Sequence, residues 1–239
     1  MHASPRAGVL VAHQPAYLPW CGYFSRLLDA GQLVLLDHVQ FAERGYQNRN
    51  YIRAPGGGRL RLTVPVRRRF GQPISGVHIA DDQPWAARHW RALTQAYSRA
   101  PHWDACAARL EPVYARPWTC LADLNITLTQ ALLDALGLPV TLLRSSAIAP
   151  AGARTAMLID LCRRTGASVL RTGTGATRYL DRALLDAAGI SVEVATYENP
   201  AYSQGRGPFT PRLSVLDLIA STGPAAADIL RAGGACRPW

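Results

Sequence analysis

His13 and Gln14 follow a short apolar run, VLVA (residues 9–12), and precede an aromatic segment that is interrupted by prolines. Imidazole titrates near neutral pH, so His13 is a candidate general acid or base, or a contact for phosphate. The alternative is a histidine that only satisfies loop carbonyl groups. Gln14 is expected to bind substrate, with Tyr17 and neighbouring aromatic residues as a wall behind it.

Asp37 and Gln40 follow a second apolar run, LVLL (residues 33–36). A carboxylate at this place could orient the imidazole of His13 or hold a metal ion, and it could equally cap a turn. The pattern therefore predicts His13 and Asp37 as the catalytic residues, and Gln40 as a substrate contact.

The stretch QNRN (residues 47–50) puts four donor-rich side chains in a row. Gln47, Asn48 and Arg49 are expected to bind an anionic or heavily hydroxylated ligand, because amides and guanidinium groups offer several N–H donors each. An ordinary polar loop is the alternative interpretation.

Other polar or glycine residues follow the later apolar runs. In parallel sheets, ligands bind beyond the carboxyl ends of the strands, where these residues are expected to gather. A Gly-x-Gly turn that leads into a helix would also free backbone N–H groups for an anion. The further candidate substrate contacts are Ser145, Ser146, Gly173, Gly175, Tyr202 and Gln204.

The order of the predicted elements is typical of an α/β protein with a parallel, Rossmann-like sheet and helices on both faces. Residues 1–43 and 137–239 are expected to form the sheet core, and residues 44–136 an inserted basic hairpin followed by helices, within one compact unit. The predicted strands are 9–13, 33–37, 140–144, 168–172 and 190–197, with a hairpin near 56–66 that 74–80 would join. The predicted helices are 20–30, 84–99, 101–116, 119–136, 154–165, 176–188, 213–222 and 224–232.

The basic residues of the chain are all of one type and are concentrated in one segment, and both facts narrow the possible classes of protein function. All 26 basic residues are arginine, and the net charge is +10. Eight of these arginines and no acidic residue lie between Arg44 and Arg69, so this segment carries +8 and the rest of the chain +2. Such a segment is solvated, or it binds phosphates, carboxylates or a nucleic-acid backbone. Without lysine, the chain can hold neither a P-loop nucleotide site nor a pyridoxal phosphate Schiff base.

Composition also indicates the compartment. The chain has no uninterrupted apolar stretch of the length that a membrane span requires, and its first residues lack a signal-peptide pattern, so we expect a cytoplasmic protein. The five dispersed cysteines form no CxxC pair. That pattern is not typical of a disulfide framework or a zinc site, and no metal site is predicted.

Four motifs together resemble the WbqC-like protein family. They are HQPAYLPWCGYF, LLDHVQF with YQNRNYI, TGTGATRYLD, and YENPAYSQGRGPFTPRLSVLDLI, in this order over residues 9–223. Cys21 replaces an expected aliphatic residue and Tyr46 an expected tryptophan. The turn that carries His13 also resembles the nucleotidylyltransferase arrangement of the HIGH superfamily, through topology and one histidine.

The WbqC-like resemblance implies a transferase of bacterial polysaccharide or natural-product biosynthesis that moves an acyl or aminoacyl group, such as glycyl, to a small amine or amino-sugar. A tRNA is a candidate aminoacyl donor. The first alternative is nucleotidyl or adenylyl transfer from ATP, which would require Mg²⁺. The second is a nucleic-acid-binding module that uses the segment from Arg44 to Arg69.

Overall fold

A computed structural model of the chain describes residues 6–80, 82–205 and 207–239. Its strands are β1 (Arg6–His13), β2 (Ala30–Leu35), β3 (Arg49–Arg53), β4 (Arg59–Thr63), β5 (Val66–Arg67), β6 (His78–Ile79), β7 (Thr141–Arg144), β8 (Val169–Gly173), β9 (Ser191–Tyr197) and β10 (Gly234–Pro238). Its α-helices are α1 (Cys21–Ser25), α2 (Trp85–Tyr97), α3 (Trp103–Ala115), α4 (Leu121–Leu136), α5 (Ser145–Ile148), α6 (Arg154–Thr165), α7 (Arg182–Ala187), α8 (Val215–Thr222) and α9 (Ala226–Gly233).

The central sheet has six strands in the order β10-β9-β8-β1-β2-β7. All neighbours are parallel except the edge strand β10, which runs antiparallel to β9. Counted in chain order, the five parallel strands lie in the doubly wound order 3-2-1-4-5. The order reverses between β1 and β8, and at such a switch point the connections diverge and leave a crevice.

The sheet buries both of its faces, as the sequence predicts for a parallel sheet. Val9 and Val11 of β1 belong to a large hydrophobic cluster with residues of α1, α3, α4, α8 and α9. Leu10, which points to the opposite face, belongs to a smaller cluster with residues of α6 and α7. The alternation of side chains along a strand thus distributes one apolar run over two cores.

The inserted segment packs on the face that carries the larger cluster. Strands β3 and β4 form an antiparallel hairpin, and Ile52 and Leu62 on it share the cluster of Val11. The expected partner of this hairpin, residues 74–80, instead begins with a short 3-10 helix, and β6 pairs with β5. Pro65, which separates β4 from β5, has no N–H to continue a ladder.

Two expected helices are wrong in extent. The first one, 20–30, is reduced to the five-residue α1, and Asp29 has a positive φ of 62°. The helix expected at 176–188 is divided into a 3-10 turn at Ala176–Arg178 and α7. Asp181 stabilises this division, because its N–H donates to Thr155 Oγ1 of α6 and its carboxylate caps α7.

No helix within the described ranges has the length and apolar character to cross a membrane. The longest of them, α4, has 16 residues, fewer than the roughly 20 that span a bilayer core.

Candidate functional site

His13 lies at the switch point of the sheet. It is the last residue of β1, and Gly173 is the last residue of the neighbouring strand β8. The register pairs Val11 with Arg171, and His13 and Gly173 each lie two residues further along. The carboxyl ends of these two neighbouring strands therefore carry an imidazole and a glycine.

The imidazole of His13 is neutral at pH 7. Its Nδ1 donates to the Gln14 carbonyl oxygen at 2.9 Å, and its ring meets the Tyr23 ring edge-on with centroids 4.7 Å apart. Burial and, secondarily, the charge of Arg26 lower the pKa of His13 to about 4. Because a carbonyl can only accept, the proton of the neutral ring is on Nδ1, and the lone pair of Nε2 meets no donor among the described residues.

Arg26 is a site residue that the sequence analysis missed. Its guanidinium covers Gly173, where an added Cβ would lie 3.2 Å from Nη2, and its Nε donates to the Gly22 carbonyl at 3.2 Å. Burial lowers the pKa of Arg26. Among the residues that the structure describes, no carboxylate forms an ion pair with it. Nothing in the sequence separates this arginine from the other 25.

Gln14 and Gln47 bind each other behind His13. Gln47 Nε2 donates to Gln14 Oε1 at 2.7 Å, and Gln47 Oε1 accepts from the Ala42 N–H at 2.7 Å. Asn125 Nδ2 of α4 donates to the Gln47 carbonyl at 2.7 Å. Gln47 is buried and engaged at both ends of its amide, whereas Gln14 is half-buried and has its Nε2 toward no protein acceptor among the described residues.

The asparagines of the QNRN stretch support the backbone rather than facing solvent. Asn48 Nδ2 donates to the Val64 carbonyl at 2.9 Å. Asn50 Nδ2 donates to the Leu18 carbonyl at 2.7 Å, where the backbone has a positive φ of 42° that is costly for leucine. Only Arg49 remains partly exposed, at a groove of about 220 Å³ that it lines with other arginines.

Tyr17 is an interior residue rather than a wall of the crevice. It is fully buried, with its hydroxyl 2.8 Å from His89 Nδ1 and 2.6 Å from the Tyr114 hydroxyl. Burial, with the neighbouring Tyr114, raises the pKa of Tyr17. The expected contact of Tyr17 with a ligand would need a path through the core.

Asp37 binds residues at the end of β7 and does not pair with His13. Its Oδ1 accepts from Ser145 Oγ at 3.1 Å and the Ser146 N–H at 2.8 Å. Its Oδ2 accepts from Ser146 Oγ at 2.7 Å and Arg144 Nε at 2.8 Å. Burial acts to raise the pKa of Asp37, but these donors outweigh it and the pKa is lowered. The expected orientation of His13 by Asp37 is therefore not formed.

The two serines differ in exposure. Ser145 is fully buried and its Oγ also lies 2.6 Å from His38 Nδ1, whereas Ser146 is exposed. Gln40 is exposed as well, and forms an isolated backbone bridge with Pro73. These residues surround the ends of β2 and β7, on the far side of β2 from β8.

Tyr202 and Gln204 anchor the loop that follows β9. Tyr202 Oη and Gln204 Nε2 donate to Asp217 Oδ2 at 2.7 and 2.6 Å, and Gln204 Oε1 accepts from Arg53 Nη1 at 2.6 Å. Asp217 is fully buried, and burial raises its pKa. Asp217 is not a candidate from the sequence alone, because its place in the apolar run SVLDLI is typical of a helix interior.

Gly175 lies in open space beside Gly173. Nothing lies within 4 Å of an added Cβ there, and α7 begins only at Arg182. A 3-10 turn, Ala176–Arg178, rather than the expected α-helix, thus follows Gly175 directly.

A family model named the WbqC-like protein family matches residues 14–229. The chain belongs to this family. It is also 35% identical over 222 residues to the uncharacterized protein Rv1507c of Mycobacterium tuberculosis (strain ATCC 25618 / H37Rv), with 91% of this chain and 95% of that protein covered. No solved structure matches the chain, so the likeness to the HIGH superfamily stays a prediction.

The arginine-rich segment of this WbqC-like protein, residues 44–69, has both buried and exposed arginines. Arg53 is buried against Gln204, and Arg68 pairs with Glu43 at 2.5 Å. The chain from Arg67 to Phe70 is exposed and lines a groove of about 600 Å³, whose lining does not include His13. This groove thus lies apart from the switch point. In the chain described here, no group of three His, Cys, Asp or Glu could hold a metal ion.

Proposed function

We propose that this WbqC-like protein is a biosynthetic transferase that moves an acyl or aminoacyl group to a small amine or amino-sugar in bacterial polysaccharide or natural-product assembly. The observation that carries the proposal is the imidazole of His13 at the switch point, whose Nδ1 donates to the Gln14 carbonyl oxygen and whose Nε2 has no hydrogen-bond partner among the described residues. Family membership supports a biosynthetic setting.

In this reaction His13 is the general base. The neutral amine attacks the carbonyl carbon of an activated acyl donor, and Nε2 takes the amine proton as the new C–N bond forms. The bond between the carbonyl carbon and its leaving group then breaks, and the leaving group departs with the electron pair. The proton on the imidazolium passes to the leaving group or to water. The partly exposed Gln14 amide lies next to His13 and can bind the acceptor.

The low pKa of His13 sets a condition on this chemistry. A base with a pKa of about 4 is poorly matched to neutral pH, because general bases work best with a pKa near the operating pH. A donor whose negative charge offsets Arg26 would raise the pKa of His13 toward that range. The strength of His13 as a base would then depend on whether the anionic group donor is bound.

The test is product formation from a panel of acyl donors and amines, followed by mass spectrometry, in wild type and His13→Asn. The asparagine amide can still donate to the Gln14 carbonyl but cannot accept a proton, so turnover is expected to fall by about 10²- to 10⁴-fold. His102→Asn, at the start of α3, is the matched control.

Equal product from wild type and His13→Asn would remove His13 as the base. Product only from ATP with Mg²⁺ would favour nucleotidyl transfer, and an aminoacyl-tRNA arm tests that donor.

A second candidate function is nucleic-acid binding by the segment from Arg67 to Phe70. The favouring observation is an exposed Phe70, with 95% of its surface accessible, beside three exposed arginines. Arginines that contact phosphates and an aromatic ring that stacks on a base are the two parts of a single-strand platform.

This candidate is tested by binding of single-stranded RNA, DNA and tRNA at several salt concentrations. Replacement of Arg67, Arg68 and Arg69 by glutamine is expected to weaken binding. It should also reduce the slope of log affinity against log salt concentration by the equivalent of up to about three phosphate contacts. Exposed Arg88 and Arg91 of α2 and Arg99, which follows this helix, form the matched control when replaced in the same way. No binding of wild type at low salt would dismiss the candidate.

A further inference from the structure

We propose that Arg26 forms an oxyanion subsite at the switch point, where it binds a phosphate or carboxylate group of a substrate beside His13. The binding itself does not depend on the proposed function. The assignment of the oxyanion to the group donor does rest on it, since the donor is the component that His13 would act upon.

The first observation is a cation without a counter-charge. Arg26 is half-buried between α1 and the sheet, and among the described residues its only side-chain hydrogen bond goes from Nε to the Gly22 carbonyl. This leaves Nη1 and Nη2 without protein acceptors among those residues. A partly desolvated guanidinium costs free energy unless it is paired, and a bidentate oxyanion offers the geometry that its two terminal nitrogens require.

By contrast, Arg171 on the same strand as Gly173 has its charge satisfied. Its Nη2 lies 2.9 Å from Glu193 Oε2, and its Nη1 donates to the Arg26 and Leu28 carbonyls. Glu193 also pairs with Arg6 at 2.9 Å. The nearby acidic side chain is thus committed to two other arginines, and Arg26 has no share in it.

The second observation is the close approach of the guanidinium to Gly173. A Cβ at this position would lie 3.2 Å from Nη2 and 3.4 Å from both Cζ and Nη1. All three atoms are nearly equidistant, so the flat face of the guanidinium rests on the glycine. Glycine therefore allows Arg26 to reach the carboxyl end of β8, where an exposed turn, Thr174 and Gly175, follows.

The third observation is the coupling between Arg26 and His13. The positive charge of Arg26 is, after burial, the cause that lowers the pKa of His13. A bound oxyanion would offset that charge, and linkage requires that the anion then binds more tightly when His13 is protonated. Ligand and base thus influence one another across the crevice.

The experiment measures binding without turnover. Pyrophosphate, phosphate and acetate are titrated calorimetrically into wild type, Arg26→Gln and the control Arg99→Gln, which removes an exposed arginine just beyond the end of α2. Loss of a charge-assisted pair is expected to weaken oxyanion binding by roughly 10- to 100-fold in Arg26→Gln and to leave Arg99→Gln unchanged. Pyrophosphate binding assigns a phosphate ligand, and binding of acetate alone assigns a carboxylate.

A glycine pair in the same turn tests the approach of the guanidinium. Gly173→Ala is expected to displace the flexible end of Arg26 by a few tenths of an ångström and to weaken binding severalfold. Gly175→Ala keeps its N–H and has open space for the methyl group, so binding is expected to persist. Thermal unfolding of each variant reports whether the fold is intact.

NMR titration of the His13 ring gives a second readout that a merely structural arginine would not move. The pKa of His13, about 4 in wild type, is expected to rise in Arg26→Gln and also when wild type binds the anion. If none of the three anions binds to wild type, or if Arg26→Gln binds them as well as Arg99→Gln does, the subsite is wrong. The transferase proposal would survive that result, because it is tested by product formation.

Discussion

At the scale of single residues, Asp37 is predicted to act on stability. Its four hydrogen-bond donors, which also lower its pKa, hold the end of β2 to the end of β7 and the start of α5. Asp37→Ala is expected to reduce the free energy of unfolding by about 2–4 kcal/mol, because it removes charged hydrogen bonds and leaves the buried Ser145 hydroxyl with fewer partners. Asp37→Asn, which keeps one acceptor oxygen, should cost less.

Urea unfolding measures both changes, with Asp228→Asn as the control. Asp228 is 78% exposed and, among the described residues, forms an ion pair only with Arg231, at 2.9 Å, so its loss is expected to cost less than about 1 kcal/mol. If Asp37→Asn unfolds like wild type yet abolishes product formation, the catalytic role that the sequence predicts for Asp37 would be supported instead.

Residue types alone predict where polar groups gather but not what they bind. His13 is at the expected strand end, and the Asp37 carboxylate accepts a hydrogen bond from the Ser146 hydroxyl. The amides of Gln47 and Asn50, however, are occupied by protein groups, since an amide donates as well to a backbone carbonyl as to a ligand. Which partner is nearest depends on chain segments far apart in sequence.

At the scale of elements, the loop between β9 and α8 is predicted to depend on Gln204. Its side chain binds Arg53, Asp217 and both backbone groups of Thr210. Gln204→Ala is expected to speed hydrogen exchange of the Thr210 amide by at least about tenfold, which corresponds to loss of about 1.4 kcal/mol of local protection. Exchange measured by NMR checks this.

The amide of Ser214 is the internal control for that measurement. It donates to the Tyr51 carbonyl at 2.8 Å, outside the reach of Gln204, and should remain protected. Equal acceleration at both amides would mean that the whole loop opens as one unit, and equal protection would mean that Gln204 does not hold it.

Helix ends show which local signals suffice. Gly137 adopts a positive φ of 65° and ends α4 where the sequence predicts, and α6 also matches its expected range. The break before α7 was not predictable, because the Thr155 hydroxyl that takes the Asp181 N–H belongs to another helix. β10 was missed since GACRP has no apolar run and its pairing with β9 is set by tertiary contacts.

At the scale of the whole molecule, one hydrophobic cluster joins the sheet to the insertion. Apolar periodicity predicts that each element buries a face, but not which elements share a core. Ile52 of the hairpin and Leu128 of α4 pack in the same cluster as Val11 of β1. The parallel sheet could thus be predicted, while the strand order that places His13 beside Gly173 could not.

The whole molecule is also predicted to lose stability in mild acid through two histidines. Burial, with the charge of a neighbouring arginine, lowers the pKa of both His13 and His89 from 6.5 to about 4. Arg26 and the Tyr23 ring face the first, while Arg88, Trp85 and the Tyr17 hydroxyl face the second.

The sign follows from proton binding. Between pH 6.5 and about 4 the unfolded chain binds protons that the folded protein does not, so the stability contributed by these neutral histidines is full above pH 6.5 and is lost as pH falls toward 4. Each histidine adds up to about 1.4 kcal/mol per pH unit to the slope. Urea unfolding at pH about 7, 6 and 5 measures it. His89→Gln should reduce the slope of unfolding free energy against pH by the equivalent of roughly one proton. A slope that the substitution leaves unchanged would mean that His89 is protonated in the folded core.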